Sequence, residues 1–148
     1  MTGSSRGIGA AIALQLASHG ADIVINYHAS SQAAEDVAKR ATREHGVRAI
    51  ALQADVSQKS AVTQLFVATK EAFGRIDIVM SNSGIEHFGS LQDTTEEQID
   101  RVFAVNVKGQ YFVAQLADRY MENGGRLILI SSISAVWVCG ISVPVFLF

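Results

Sequence analysis

Apolar residues along this chain follow two alternating rhythms. From Ile8 to Ser18, alanine, leucine and isoleucine recur at helical spacing, and Gly20 is placed to end that helix. The next run, DIVINY (Asp22 to Tyr27), is short and β-branched and predicts a strand. Ser31 can cap a second helix in which Ala34, Val37, Ala38 and Ala41 form one apolar stripe, closed by Gly46. RAIALQA (Arg48 to Ala54) predicts the next strand, and Val62, Leu65, Phe66, Thr69, Ala72 and Phe73 line one face of the helix after it. RIDIVMS (Arg75 to Ser81) reads as a third strand. Thr94 and Glu97 have capping-box spacing and open a long helix running to about Met121. GGRLILIS then supplies a turn and a fourth strand.

Short apolar strands alternating with helices of this length describe a parallel sheet covered on both faces. With right-handed crossovers, the order predicts an α/β, doubly wound, Rossmann-like fold. Ligands in such folds sit beyond the carboxyl ends of the strands, so the loops there carry the chemistry. Composition narrows the classes further. Apolar residues make up 49% and charged residues 18% of 148, and net charge is −2, which excludes a disordered chain. No Lys/Arg cluster of the kind that binds nucleic acid is present. Cys139, the single cysteine, cannot form an internal disulfide and fits a reducing, cytoplasmic setting. No secretory signal pattern opens the chain. The four histidines, His19, His28, His45 and His87, lack metal-ligand spacing, so no metal site is expected.

Gly3, Gly7 and Gly9 stand immediately before the first helix. Such glycines let the backbone turn tightly and let a pyrophosphate approach, while the helix N-terminus offers free N–H groups. Taken alone, the spacing also fits a purely structural turn. An acidic residue about twenty positions on would bind a ribose 2′-hydroxyl and select NAD. Here the strand DIVINY runs into NYHAS, with Tyr27 and no carboxylate. Arg6 lies inside the glycine turn, either facing a 2′-phosphate or simply solvated. NADP(H) is therefore favoured over NAD(H).

TGSSRGIG, ADV (Ala54 to Val56), SNSG (Ser81 to Gly84), NVKG (Asn106 to Gly109) and GGRLILISS occur in one order along the chain. In that order they resemble the short-chain dehydrogenase/reductase family, and most of all its fungal polyketide naphthol reductases, from Thr2 to about Ala135. The resemblance implies that Gly3, Ser5, Arg6, Gly7, Ile8 and Gly9 hold the cofactor phosphates, with Tyr27 nearby. It implies that Asp55 accepts a hydrogen bond from the adenine amino group, with Val56 beside the ring. Asn82 and Gly84 would back the nicotinamide ribose, and Ser83 stands where alanine is common. Asn106 would distort its helix and help hold a water in a proton relay. Ser132 would donate a hydrogen bond to a substrate carbonyl as charge develops on its oxygen. The implied reaction is hydride transfer between NADP(H) and a cyclic or polyketide-derived ketone or its alcohol. Homo-oligomers, commonly tetramers, are implied as well.

From the residues alone, Asp55 can cap a loop, Asn82 can sit in a tight turn and Asn106 can be an ordinary buried amide. The family's proton-donating tyrosine falls near position 145 or 146, with a lysine four residues on. Val145 and Phe146 occupy those positions here. Two domains follow: 1–135, an incomplete nucleotide-binding domain lacking the first strand and the C-terminal strands, and 136–148, a divergent apolar tail. Such a chain is expected to be truncated and weak or inactive by itself; read-through of an intron after Ala135 would explain the tail. The alternatives are a non-catalytic nucleotide-binding fragment, or a membrane anchor formed by the uncharged run 127–148, which serines, Gly140 and Pro144 interrupt.

Overall fold

The computed structural model describes residues 1–90, 92–132 and 144–145. Helix α1 (Gly7–Ser18), strand β1 (Ile23–Tyr27), α2 (Ser31–His45), β2 (Ala49–Gln53), α3 (Lys59–Phe73) and β3 (Ile78–Ser81) fall where the apolar pattern puts them. Gly46 and Gly74 end α2 and α3 in the left-handed region, at φ +70° and +78°. After β3 come a two-residue strand β4 (His87–Phe88), α4 (Glu96–Phe103), a π-helical segment (Ala104–Gly109), α5 (Gln110–Tyr120), β5 (Arg126–Leu129) and β6 (Pro144–Val145).

Helices cover the strands on both faces, as a doubly wound fold requires. Ile23 and Ile25 of β1 pack with Ala13 and Ala17 of α1 and Ala34, Ala38 and Ala41 of α2. Val24, pointing the other way along the pleat, packs with Ala54 and Leu65 of α3. Val79 of β3 joins Val62 and Phe66 of α3 and Val113, Leu116 and Ala117 of α5 on that second face. Full burial of each large aliphatic side chain contributes about 1.5–3 kcal/mol.

The sheet is divided, as expected of a doubly wound domain that lacks its first strand. β1 pairs parallel with β2, Ile23 opposite Ala49, and β3 pairs parallel with β5, Ile78 opposite Arg126. Met1 and Thr2 link the two pairs by main-chain bonds. Met1 N donates to Val24 O at 3.2 Å and Asn26 N donates to Met1 O at 3.3 Å, while Thr2 N donates to Met80 O at 3.0 Å. β4 and β6 form a separate antiparallel pair.

Three local expectations need correction. The capping box belongs to Thr95 and Gln98, one residue beyond the predicted Thr94 and Glu97. Thr94 is occupied elsewhere, its Oγ1 donating to Ser90 O at 2.9 Å in the preceding turn. Ser31 is the first residue of α2 rather than its cap; Ser30 takes the cap position, and Ser31 Oγ donates to Glu35 Oε1 instead. The long helix to Met121 is interrupted by the π segment around Asn106.

Among the described residues, no helix is long and apolar enough to cross a membrane. The start of the uncharged run 127–148 is strand β5. Its greater part, and the domain boundary near residue 135, lie outside the described residues.

Candidate cofactor-binding crevice

Buried polar side chains, rather than apolar packing, hold the glycine turn in place. Gly3 and Gly7 adopt φ +59° and +55°, a region closed to most residues with a Cβ. The Gly3 N–H donates to Asn26 Oδ1 at 3.1 Å, and the Ser4 N–H donates to Asn26 O at 3.0 Å. Asn26, near the end of β1, is 1% exposed, and its Nδ2 faces the carbonyls of Tyr27, Leu52 and Ala54 at 3.2–3.3 Å. One amide thus ties the turn to β1, to β2 and to the segment leading into Asp55.

The turn is tied to β3 just as closely. Thr2 Oγ1 accepts the N–H groups of Asn82 and Ser83 at 2.9 and 3.1 Å. Asn82 Nδ2 donates back to the carbonyls of Thr2 and Gly3 at 3.2 and 3.1 Å. Gly9 shows how close this packing is: a Cβ there would lie 2.3 Å from Gly3 O and 2.8 Å from Asn82 Nδ2. At Gly3 a Cβ would meet Ser83 Oγ at 3.0 Å. Ser83 therefore stands directly against the glycine turn.

Asn106 closes the third side. It is 5% exposed within the π segment; its Nδ2 donates to Ile85 O and its Oδ1 accepts the Ile85 N–H, both at 2.9 Å. This reciprocal pair mimics a strand bridge and fixes the loop after β3, with Gly84 beside it. π-helical turns of this kind recur at functional sites. Gln110, the first residue of α5, donates from Nε2 to Ile130 O at 2.7 Å, while the Ile130 N–H donates to Ser81 O. Ser132, half-buried, follows two residues later at the same carboxyl end of the strands.

The remaining predicted residues fall around these anchors. Ser5 is half-buried, and Arg6, Gly7 and Ile8 are exposed, Ile8 at 71%. No side chain caps α1, whose first-turn N–H groups are left for an anion. Tyr27 is half-buried at the end of β1. Asp55 does turn its loop, accepting the Ser57 N–H at 2.9 Å, yet its carboxylate stays partly open, with His28 Nε2 at 3.9 Å. Val56 is 6% exposed and belongs to the core, packed beneath Gly109. Sequence reasoning missed Thr2, Ser4 and Asn26, all at most 3% exposed. Polar residues flanking a glycine turn at the ends of apolar strands were the available signal. Among the described residues, no group of three His, Cys, Asp or Glu side chains converges as a metal site.

A glycine turn opening α1, with the loops after β1, β2, β3 and β5 at the same strand ends, defines a Rossmann-like α/β fold. The chain belongs to the short-chain dehydrogenase/reductase family: residues 3–142 match the family profile described as enoyl-(acyl carrier protein) reductase. It is 51% identical over 134 residues to elsinochrome reductase 1 of Elsinoe fawcettii, spanning 90% of this chain and 50% of that protein. It is 49% identical to a probable tetrahydroxynaphthalene reductase of Zymoseptoria tritici, again over 90% of this chain and 50% of the relative. A short-chain dehydrogenase of Burkholderia cenocepacia, solved in complex with NADP, superposes with a TM-score of 0.91 at 42% identity, covering 95% of this chain and 57% of that one. The chain thus spans about half the length of the curated relatives it matches.

Proposed function

We propose that this chain carries the NADP(H)-binding part of an oxidoreductase that passes hydride between the cofactor and a cyclic or polyketide-derived ketone or alcohol. The observation that supports it best is the double tether of the glycine turn, by Asn26 to β1 and by Thr2 and Asn82 to β3. That arrangement aims the uncapped N-terminus of α1 into the space the strand ends enclose.

The residues present fit a dinucleotide. In this reading Gly3, Ser5, Arg6, Gly7, Ile8 and Gly9 surround its diphosphate, where a bulkier residue at Gly9 would be barred by Gly3 O. Arg6, exposed beside the turn, supplies charge for a 2′-phosphate, and no carboxylate at the end of β1 opposes it, which supports NADP(H) over NAD(H). Asp55 accepts from the adenine amino group with Val56 behind it, Tyr27 lies at the end of β1, and Asn82 and Gly84 back the nicotinamide ribose. When bound, the cofactor supplies the hydride. Ser132 donates its hydroxyl proton in a hydrogen bond to the carbonyl oxygen. Asn106 spends its side chain on Ile85, so its contribution is to shape the loop and the π turn where a relay water can sit.

The positions where the family resemblance puts the proton donor hold Val145 and Phe146. A tyrosine with a lowered pKa is what would protonate the product alkoxide near neutral pH. The reading therefore expects cofactor binding with weak turnover. Titrating NADPH against the purified chain by nucleotide fluorescence, with NADH in parallel, tests the first part. Following NADPH oxidation with a naphthol-type ketone tests the second. Tight NADPH binding, weaker NADH binding and slow oxidation are expected; failure to bind NADPH would end the proposal.

A further inference from the structure

At the carboxyl ends of β3 and β5, side chains take over where the parallel ladder would continue. Its regular bonds include the Arg126 N–H to Asp77 O at 2.8 Å and the Ile130 N–H to Ser81 O at 3.1 Å. In a parallel pair, a residue that donates to one partner accepts from the partner two positions further on. The next rung therefore belongs to the Ser83 N–H and Ile130 O. Both groups are engaged elsewhere. The Ser83 N–H donates to Thr2 Oγ1 at 3.1 Å, and Ile130 O accepts from Gln110 Nε2 at 2.7 Å. Gln110 follows Asn106 by four positions, so the two share one face of the helical turn. Asn106 grips Ile85 in the chain leaving β3, and Gln110 grips the chain leaving β5.

We propose that Gln110 is the positioning residue for Ser132, ending the β3–β5 ladder together with Thr2. The inference rests on the reading of Ser132 as the donor to the substrate carbonyl. A peptide group is planar, so holding Ile130 O fixes the plane between Ile130 and Ser131 and the direction in which the chain leaves β5 toward Ser132. A rung from Ser83 would hold the same carbonyl against β3, at ladder spacing, just where the crevice has to open. The Gln110 amide reaches it from the helix instead and leaves that rung unmade. A carbonyl oxygen only accepts, so it is the amide nitrogen of Gln110 that faces it. Ile130 is 36% exposed, and water can reach this bond. Water replaces the energy of such a bond but not its direction. Loss of Gln110 is therefore expected to show in the placement of Ser132 rather than in stability.

The test uses the whole isotope-labelled chain with Gln110→Glu and Gln110→Ala. Glutamate keeps the size of glutamine; ionised it cannot donate, and protonated it donates again. At neutral pH both variants are expected to melt within about 2 °C of the parent and to bind NADPH within roughly twofold of it. The backbone signals of Ser131 and Ser132 should move, while those of Gly3 and Asn82 stay. Lowering the pH through the ordinary glutamate range, about 4–5, should return Ser132 in Gln110→Glu to the parent's position at the same pH and leave Gln110→Ala displaced. With NADP⁺ and carbonyl-13C-labelled 1-tetralone as the probe, the carbonyl stretch should fall on binding to the parent, and fall less in both variants at neutral pH. Two results would each overturn the proposal: Ser132 signals matching the parent's at neutral pH, or signals in Gln110→Glu that stay displaced after its new carboxyl, followed by carbon detection, has taken up a proton. A parent that binds NADPH but leaves the tetralone stretch unshifted would instead remove Ser132 as the donor, and the signals of the unliganded chain decide its placement by themselves.

Discussion

Replacing Gly9 with alanine tests the tethered turn most directly. Gly9 lies inside α1 at an ordinary φ, where alanine would normally gain about 0.5–1 kcal/mol over glycine. Here the new Cβ would sit 2.3 Å from Gly3 O, 2.8 Å from Asn82 Nδ2 and 2.9 Å from Ser4 Cα. Two of these three atoms are main chain, and Gly3 is pinned from both sides by Asn26 and Asn82. Relief requires a shift on the order of 1 Å, which costs about 1–3 kcal/mol as overpacking. It also breaks the Asn82 bonds to Thr2 and Gly3, at about 1 kcal/mol each. The net loss is about 3 kcal/mol, a fall in melting temperature of roughly 6–12 °C for a domain of this size. NADPH affinity should drop by roughly a hundredfold if the same displacement is felt by the diphosphate. Gly84→Ala is the control for the stability change alone, because its Cβ would meet only Asn106 Oδ1 at 3.7 Å, an ordinary contact, while Gly20→Ala, remote from the crevice, is the control for binding. Thermal melts and NADPH titrations of the three variants decide the matter. A Gly9→Ala protein that melts within about 2 °C of the parent and binds NADPH comparably would refute the packing argument.

Other substitutions separate the remaining tethers. Asn106→Ala strips partners from the N–H and carbonyl of the half-buried Ile85 and is expected to cost about 1–3 kcal/mol in denaturant unfolding; Asn106→Asp, which keeps the acceptor and faces the carbonyl with a second oxygen, should be no milder. Asn26→Leu is close to isosteric but leaves the Gly3 N–H without its acceptor, so it should lose about 3 kcal/mol and weaken NADPH binding together, whereas Val62→Ala should lose about 2–3 kcal/mol in unfolding while leaving binding unchanged. The Arg48 main-chain N–H and then its guanidinium hold the Asp22 carboxyl below the usual carboxylate range. The stability from that pair is present above the unfolded pKa and is lost as pH falls through the lower folded value. Carbon-detected titration of Asp22 should show the depressed midpoint, and Arg48→Ala, which removes the guanidinium but keeps the main-chain N–H, should return it only part of the way.

How much of this the sequence discloses depends on whether the information is periodic. The stripe Ala34, Val37, Ala38 and Ala41 and the run IVIN in β1 are local statements of which face is buried, and the structure places them as read. The start of α4 is a harder case. TTEEQ contains two overlapping capping-box registers, and the choice between them is made by Ser90, which engages Thr94 from outside the motif. The π segment is less legible still. Its turn differs little from an α-helix in apolar spacing, and the residue it serves, Ile85, lies 21 positions away.

Site residues divide along the same line. Gly3, Gly7 and Gly9 announce themselves by spacing, and family resemblance brings in Asp55, Asn82, Asn106 and Ser132 by motif. Thr2, Ser4 and Asn26 belong to neither group, because each acts on a main-chain partner far along the chain: Thr2 reaches residue 83, and Asn26 reaches from residue 3 to residue 54. A buried polar residue is costly unless it is fully hydrogen-bonded. Asn26 therefore marks a place where several loops need a common donor and acceptor. The divided sheet follows the same logic at larger scale. The expected absence of the first strand already leaves an open edge on each side of its place, and what the structure adds is which main-chain groups flank it, those of Val24 on β1 and Met80 on β3. Which residues of the two edges stand in register appears only when the edges are placed in space, and in this the edges resemble the tethers.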